Sequence, residues 1–274
     1  MPKKYLICLI IAIGIISVVG YFSLRPLKKE TIEDPILKKI KSQGKIIIGT
    51  EATYPPMEGM DEGGNFVGID IDIAKEIAFD LGVKPEFRNI SWDELFNALL
   101  RGEVDMLISA ITITPERAEK MAFSDPYFNA GQVVVTTLDK AGDIKGVEDL
   151  AGKKLGVQIE TTSQTEAQKY TNPELVIPFE NNDLAKDELL KGAIDAIIID
   201  YPAAVGMVSK ENNLKIIGEP FTQEFYGIAV RKEDEVLLGG INKTIRRLKQ
   251  ENRLEEIKTK WLTEQIEHRK EFLI

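Results

Sequence analysis

The chain has 274 residues, 43% of them hydrophobic and 29% charged, with a net charge of −9 at pH 7. That length holds one large domain or two modest lobes, at about 100 to 200 residues per domain, and the composition fits a folded soluble body. The acidic balance argues against nucleic acid, which needs clustered Lys and Arg, and against adhesion of the body to anionic lipid. The single cysteine, Cys8, excludes an intrachain disulfide and a Cys-based zinc or redox site. The single histidine, His268, sits in a charged tail and argues against a Ser-His-Asp triad.

Residues 1–30 read as a signal or membrane anchor. Lys3 and Lys4 precede an uncharged run from Tyr5 to Leu24, and a helix of about 20 residues spans about 30 Å, the hydrocarbon thickness of a bilayer. An uncleaved anchor, a signal cut after Val18-Val19-Gly20, and a lipoprotein remain open, although Cys8 lies too early in the run for the last. In each case the body from about residue 40 is exported. Residues 31–44 read as a charged linker and short helix, with Pro35 in the first turn behind Asp34.

Strands and helices alternate beyond Gly44. Lys45–Thr50 is a short apolar strand. Asp70–Leu81 is a helix with Ile71, Ala74, Ile77, Ala78 and Leu81 on one face, stopped by Gly82. Lys84–Ile90 is a strand. Ser91 then opens a helix, with Glu94 completing a capping box, and Asp105–Ser109 is a third strand. This order predicts parallel strands with right-handed crossovers. The pattern restarts: strands at Gln132–Thr137, Lys153–Gln158, Glu174–Phe179, Ala193–Asp200 and Leu214–Gly218, with helices at Thr162–Tyr170, Asp183–Lys191 and Pro202–Lys210. Glu224–Val230 reads as extended and leads to helices over Glu235–Gln250 and Arg253–Thr263. Two α/β halves, each with its own sheet, are the simplest packing, and no short repeat interrupts them.

Three segments in order carry a resemblance: Gly49-Thr50-Glu51-Ala52-Thr53-Tyr54-Pro55-Pro56-Met57-Glu58, then Gly68-Ile69-Asp70-Ile71-Asp72-Ile73-Ala74-Lys75-Glu76-Ile77-Ala78, then Ser109-Ala110-Ile111-Thr112-Ile113-Thr114-Pro115-Glu116-Arg117. The trio resembles the extracellular solute-binding proteins of family 3, which serve amino-acid ABC transporters, and the likeness runs over about residues 40–265. It implies an α/β, two-lobed, periplasmic-binding-protein-like clamp of type II with two crossing hinge strands, preceded by the N-terminal hydrophobic segment. Lobe 1 would be 45–129 and 226–274, and lobe 2 would be 130–225, with crossings near Phe128–Gly131 and Phe225–Gly227.

A free amino acid presents a carboxylate, an ammonium and a side chain, and each needs a partner in a dry cleft because an unpaired buried charge is costly. Arg117 supplies a bidentate fork for the carboxylate, and the resemblance places Ser109, Ala110 and Thr112 beside it. Asp200 ends an apolar strand at the carboxyl edge where ligands of open α/β sheets sit. The resemblance gives it the ammonium, with an N-cap of the next helix as the alternative. Thr161 and Thr162 open a helix whose amides offer a further carboxylate contact. Glu160 departs from the small residue, often glycine, that the family has there. Tyr54 and Trp92 match the family's aromatic walls, against plainer roles as a turn-packing and a helix-start residue. Glu51 stands where some basic-amino-acid receptors carry an acid facing the ligand side chain, and Glu160 is a second candidate. If both face water, a neutral polar ligand such as glutamine is expected instead.

Asp70 and Asp72 read as structural acids at a helix N-terminus. Glu58, Asp61 and Glu62 read as a solvated acidic loop, and no metal site or cofactor is implied. The chain lacks a phosphate-binding Gly-x-x-x-x-Gly-Lys-Ser/Thr loop and has one apolar run, so it is neither the transporter's ATPase nor its permease. The expected role is an extracytoplasmic, monomeric receptor that binds a polar L-amino acid, with a lean to arginine, lysine or histidine. It would deliver that ligand to ABC permease subunits, touching the membrane through its N-terminal segment if uncleaved. A sensory module acting through a partner and a periplasmic cyclohexadienyl-type dehydratase are the alternatives.

Overall fold

The computed structural model describes residues 34–271, with side chains placed to residue 263. The signal or anchor expected over 1–30 lies outside the described residues. Among the described residues no helix is long and apolar enough to cross a membrane.

Helix α1 (Pro35–Gln43) begins at the expected proline, but it is no free linker, since Ile36 and Ile40 are buried in the core. Strand β1 (Lys45–Thr50) follows, then the short β2 (Gly59–Met60) and β3 (Phe66–Val67), α2 (Ile69–Leu81), β4 (Lys84–Asn89), α3 (Trp92–Leu100), β5 (Met106–Leu107), α4 (Pro115–Ala118), β6 (Ala122–Phe123) and β7 (Phe128–Ala130). The chain continues through β8 (Gln132–Thr137), β9 (Leu155–Gln158), α5 (Thr162–Ala167), β10 (Val176–Phe179), α6 (Asn182–Leu190), β11 (Ala196–Asp200), α7 (Tyr201–Lys210) and β12 (Leu214–Ile217). It ends with β13 (Glu224–Tyr226), β14 (Ala229–Val230), α8 (Glu235–Gln250) and α9 (Arg253–Glu271).

Two five-stranded sheets result, in the orders β4-β1-β5-β14-β6 and β10-β9-β11-β8-β12. Strand β1 runs parallel to β4 and β5, and β9 runs parallel to β10 and β11, as alternating strands and helices require. Strands β1, β8 and β11 carry unbroken apolar runs because both faces of the sheets are covered there, whereas β4 at a sheet edge is polar and partly exposed. Ile46 and Ile48 enter one cluster while Ile47 enters another on the opposite face. Val133 and Val135 likewise part from Val134, and this is the period-2 geometry of a strand. The chain passes from the first sheet to the second through β7 and returns through β13, and these two strands pair with each other antiparallel.

Helix α2 ends as expected, with Gly82 in the left-handed conformation at φ 71°. Two local expectations fail. Ser91 occupies the N-cap of α3 but its side chain makes no cap bond, and the Glu94 carboxylate that would complete the box accepts from Arg101 at 3.0 Å instead. The strand expected over Asp105–Ser109 shrinks to Met106–Leu107, because the backbone leaves the sheet at Ala110, whose φ is 47°.

Candidate functional site

The carboxyl ends of β1 and β5 in one sheet face those of β9 and β11 in the other, which is where open α/β sheets place ligands. Between them lies a cavity enclosing about 420 Å³ of space, open solvent at its mouth included. All ten residues singled out above line it: Glu51, Tyr54, Trp92, Ser109, Ala110, Thr112 and Arg117 from the first sheet's side, and Thr161, Thr162 and Asp200 from the second's.

Arg117 is held from three sides. Thr114 caps the short α4, its side chain accepting the Arg117 N–H at 3.2 Å, and Pro115 fits the first helical position. The guanidinium donates to the Thr112 carbonyl at 2.9 Å. It also lies 5.2 Å from the ring centres of both Trp92 and Phe96, which meet edge to face. Burial pulls its pKa down and Asp200 and Glu224 work against that pull; a guanidinium keeps its charge in either case. Arg117 is thus a partly buried part of the cavity wall. Trp92 is also buried, and its indole N–H donates to the Glu160 carbonyl across the cavity at 3.3 Å.

Asp200 sits at the N-cap of α7 but makes no cap bond. Its Oδ2 instead accepts the Tyr226 hydroxyl, and its buried Oδ1 meets no donor. Burial first, then the Glu224 charge, raises its pKa to about 7, while the Tyr226 hydrogen bond, Arg117 and the Tyr54 hydroxyl hold it down. Tyr54 packs on the apolar clusters of both sheets. The loop behind it abuts α7 so closely that a Cβ at Gly206 would fall 2.3 Å from the Pro55 carbonyl oxygen.

At the far end, Glu51 is 6% exposed. Its Oε2 accepts Gln158 Nε2 at 2.8 Å, and Gln158 Oε1 in turn accepts Asn182 Nδ2 at 2.9 Å. Burial raises the Glu51 pKa, and the Gln158 hydrogen bond partly opposes the rise. On the second sheet's side, Thr161 caps α5 by accepting the Gln164 N–H, and Thr162 Oγ1 accepts from Gln132.

One candidate acid is placed elsewhere and one expectation about acids is corrected. Glu160 does not face the cavity. It takes the left-handed conformation at φ 59°, presents its carbonyl to Trp92 and its N–H to Gln164, and leaves its side chain exposed in an outer chamber. That conformation is why a glycine suits the position. Glu58 does not belong with the exposed Asp61 and Glu62. It is 1% exposed, lines the cavity and accepts the Ser109 hydroxyl at 2.8 Å.

Sequence reasoning missed Gln158, Asn182, Ser163, Ile199 and Glu58 as lining residues. The strand-edge rule that singled out Asp200 applies equally to Gln158, the last residue of β9. Nothing local marks Glu58, since its burial depends on residues far along the chain.

A profile of the bacterial extracellular solute-binding proteins, family 3, matches residues 46–264. The chain belongs to that family. The L-cystine-binding protein TcyJ of Escherichia coli (strain K12) is 31% identical over 234 residues, 85% of this chain and 88% of that one. The ABC transporter glutamine-binding protein GlnH of Bacillus subtilis (strain 168) is 36% identical over 243 residues, 86% of this chain and 87% of that one. The arginine-bound form of truncated ArgBP from T. maritima superposes with a TM-score of 0.74 at 44% identity, over 77% of this chain and 99% of that one. The relatives of this family 3 protein thus bind different amino acids, and the family's place is extracellular.

Proposed function

We propose that this family 3 protein is an extracytoplasmic receptor for a cationic L-amino acid, arginine first, which it holds between two lobes and delivers to an ABC permease. The lobes are 45–129 with 226–274, and 130–225, and the paired β7 and β13 form the hinge. The N-terminal segment exports the body or tethers it to the membrane.

The observation that carries this reading is Glu51, a buried carboxyl in the same cavity as Arg117 and Asp200. Arg117 matches a ligand carboxylate and the free Oδ1 of Asp200 matches an ammonium, so a zwitterion is neutralised without Glu51. A buried surplus carboxylate is tolerable when the ligand brings a compensating cation, and Gln158 and Asn182 orient Glu51 to meet it. The outer chamber supports the same reading. Glu116, Glu160, Glu166 and Glu224 outnumber Arg117 in its lining, and a mouth with a surplus of one sign of charge draws in the opposite sign. Arginine binding by the T. maritima neighbour is in keeping with this assignment.

A thermal-shift panel of the twenty amino acids tests the ligand. Arginine, with lysine or histidine behind it, should give the largest stabilisation, and Glu51→Gln should move the preference toward neutral glutamine. Stabilisation by glutamine or glutamate with none by the three cationic amino acids would sink the cationic assignment.

A further inference from the structure

The cavity floor contains an acid pair that ligand recognition does not use. The loop carrying Glu58 is fastened to the start of α2, where Ile69 N–H donates to the Pro56 carbonyl at 3.0 Å and Asp70 N–H to the Met57 carbonyl at 2.9 Å. Gly68 permits the approach: its φ is 131°, and a Cβ there would sit 2.3 Å from the Met57 oxygen. Glu58 is thereby delivered against Asp70, and both lie beneath Ser109 and Ala110.

The donors can be counted. Asp70 Oδ2 accepts the Ala110 N–H at 2.7 Å and the Tyr127 hydroxyl at 2.9 Å. Glu58 Oε1 accepts the Ser109 hydroxyl, whose oxygen accepts the Glu51 N–H at 2.9 Å, so the Ser109 proton is directed at Glu58. Asp70 Oδ1 and Glu58 Oε2 are buried and meet no donor, and the two carboxyls are brought side by side, because their other oxygens are held by the adjacent residues Ser109 and Ala110. Two carboxyls without a further donor can bond only through a proton of their own. The groups that face the pair are Glu51 from the end of β1, Tyr54 from the loop, and Tyr127 ahead of β7. None of these is a cation.

We infer that Glu58 is a positioning residue that carries a proton at neutral pH and shares it with Asp70, so that the pair pins the Ser109–Ala110 edge of the ligand cavity until alkaline pH removes that proton. The edge needs pinning because Ala110 holds a left-handed conformation that a residue with a Cβ adopts only under constraint. Asp70 is the better anion, with two donors and the N-terminus of α2 beside it, which leaves the proton on Glu58. Burial raises both groups, Asp70 to about 7 and Glu58 well above the carboxylate range. Acids raised in the folded state contribute stability that is complete below their unfolded values and is lost as pH rises through the folded ones.

The test uses the full chain and its Glu58→Gln variant, in which an amide donates to Asp70 and accepts from Ser109 at every pH. Thermal unfolding without ligand and L-arginine titration are followed from neutral to alkaline pH, with the infrared carbonyl band of a protonated carboxyl recorded at neutral pH. The parent should lose unfolding temperature and arginine affinity on the alkaline side. E58Q should flatten both declines and lack part of the infrared band, while Glu58→Ala should weaken arginine binding roughly tenfold, the cost of an unpaired buried partner. Equal alkaline declines in the parent and E58Q, or an unchanged infrared band, would overturn the inference. If E58Q does not fold, Asp70→Asn carries the same infrared and unfolding comparison. The inference rests on the receptor reading only for its ligand arm. A parent that ignores arginine defeats that reading while the unfolding and infrared arms still judge the proton pair.

Discussion

Asp70 in the cavity floor and Asp200 in the opposite wall have the same chemistry and nearly the same burial, at 0% and 5% exposed. Burial pushes both up to about 7. Their neighbours differ. Asp70 has its Oδ2 filled by Ala110 and Tyr127 and its other side closed by Glu58, and it opens onto no ligand space. Asp200 takes the Tyr226 hydroxyl on one oxygen and leaves the other unmet inside the cavity. A raised pKa marks both, so titration alone does not separate a structural acid from one that awaits a ligand. The inventory of donors does.

The largest expected effect comes from deleting each side chain. Asp200→Ala removes the partner for a ligand ammonium and should weaken arginine binding about a hundredfold, while costing the unliganded protein less stability than Asp70→Ala does, since it strands the Tyr226 hydroxyl but also removes a buried carboxyl with one open oxygen. Asp70→Ala leaves the Ala110 N–H and the Tyr127 hydroxyl without an acceptor and should lower unfolding stability by about 2–5 kcal/mol. Calorimetric titration and urea unfolding on both variants measure this. Equal losses of binding and of stability in the two would erase the distinction.

The next effect is in pH. On the proposed pairing of an ammonium with ionised Asp200, arginine affinity should climb by at most about tenfold per pH unit until pH passes about 7, then hold until the alkaline loss expected of the Glu58–Asp70 pair. Unliganded stability should move the other way. With a folded value raised from 3.8 to about 7, the Asp200 contribution is present below the unfolded value and is lost as pH rises between the two. Titrations in buffers of different ionisation enthalpy should also show proton release on binding near neutral pH.

The smallest effect separates the two tyrosines. Tyr226→Phe and Tyr127→Phe each delete one hydroxyl donor to a buried carboxyl, and each should cost about 1 kcal/mol of stability. Only Tyr226→Phe should also move the pH midpoint of arginine binding upward, because its hydroxyl holds Asp200 down. A matching shift in Tyr127→Phe would place Asp70 in the binding equilibrium.

Much of the fold was legible in local pattern. The run Ile46-Ile47-Ile48 needs cover on both faces, and Gly82 ends a helix by taking a left-handed turn that other residues resist. The cavity-lining residues were legible through the resemblance and through strand ends, which is how Asp200 was singled out. Gln158, at a strand end of the same kind, was passed over because its amide carries no charge to draw notice. Ser91 and Glu94 have the spacing of a capping box, but Arg101 supplies a stronger partner for Glu94 and the box does not form.

The sequence by itself determined the alternation of strands and helices, the stop at Gly82 that closes α2, and the carboxylates and arginine that meet at the sheet edges. Those follow from period, backbone freedom and charge, which are properties of neighbouring residues. Only the tertiary structure decided that Glu160 looks outward, that Glu58 is buried, and that Asp70 and Asp200 have different sets of donors. A carboxyl's state is set by the donors and the dielectric around it, and here those come from residues 40 to 57 positions away for Asp70 and 26 positions away for Asp200.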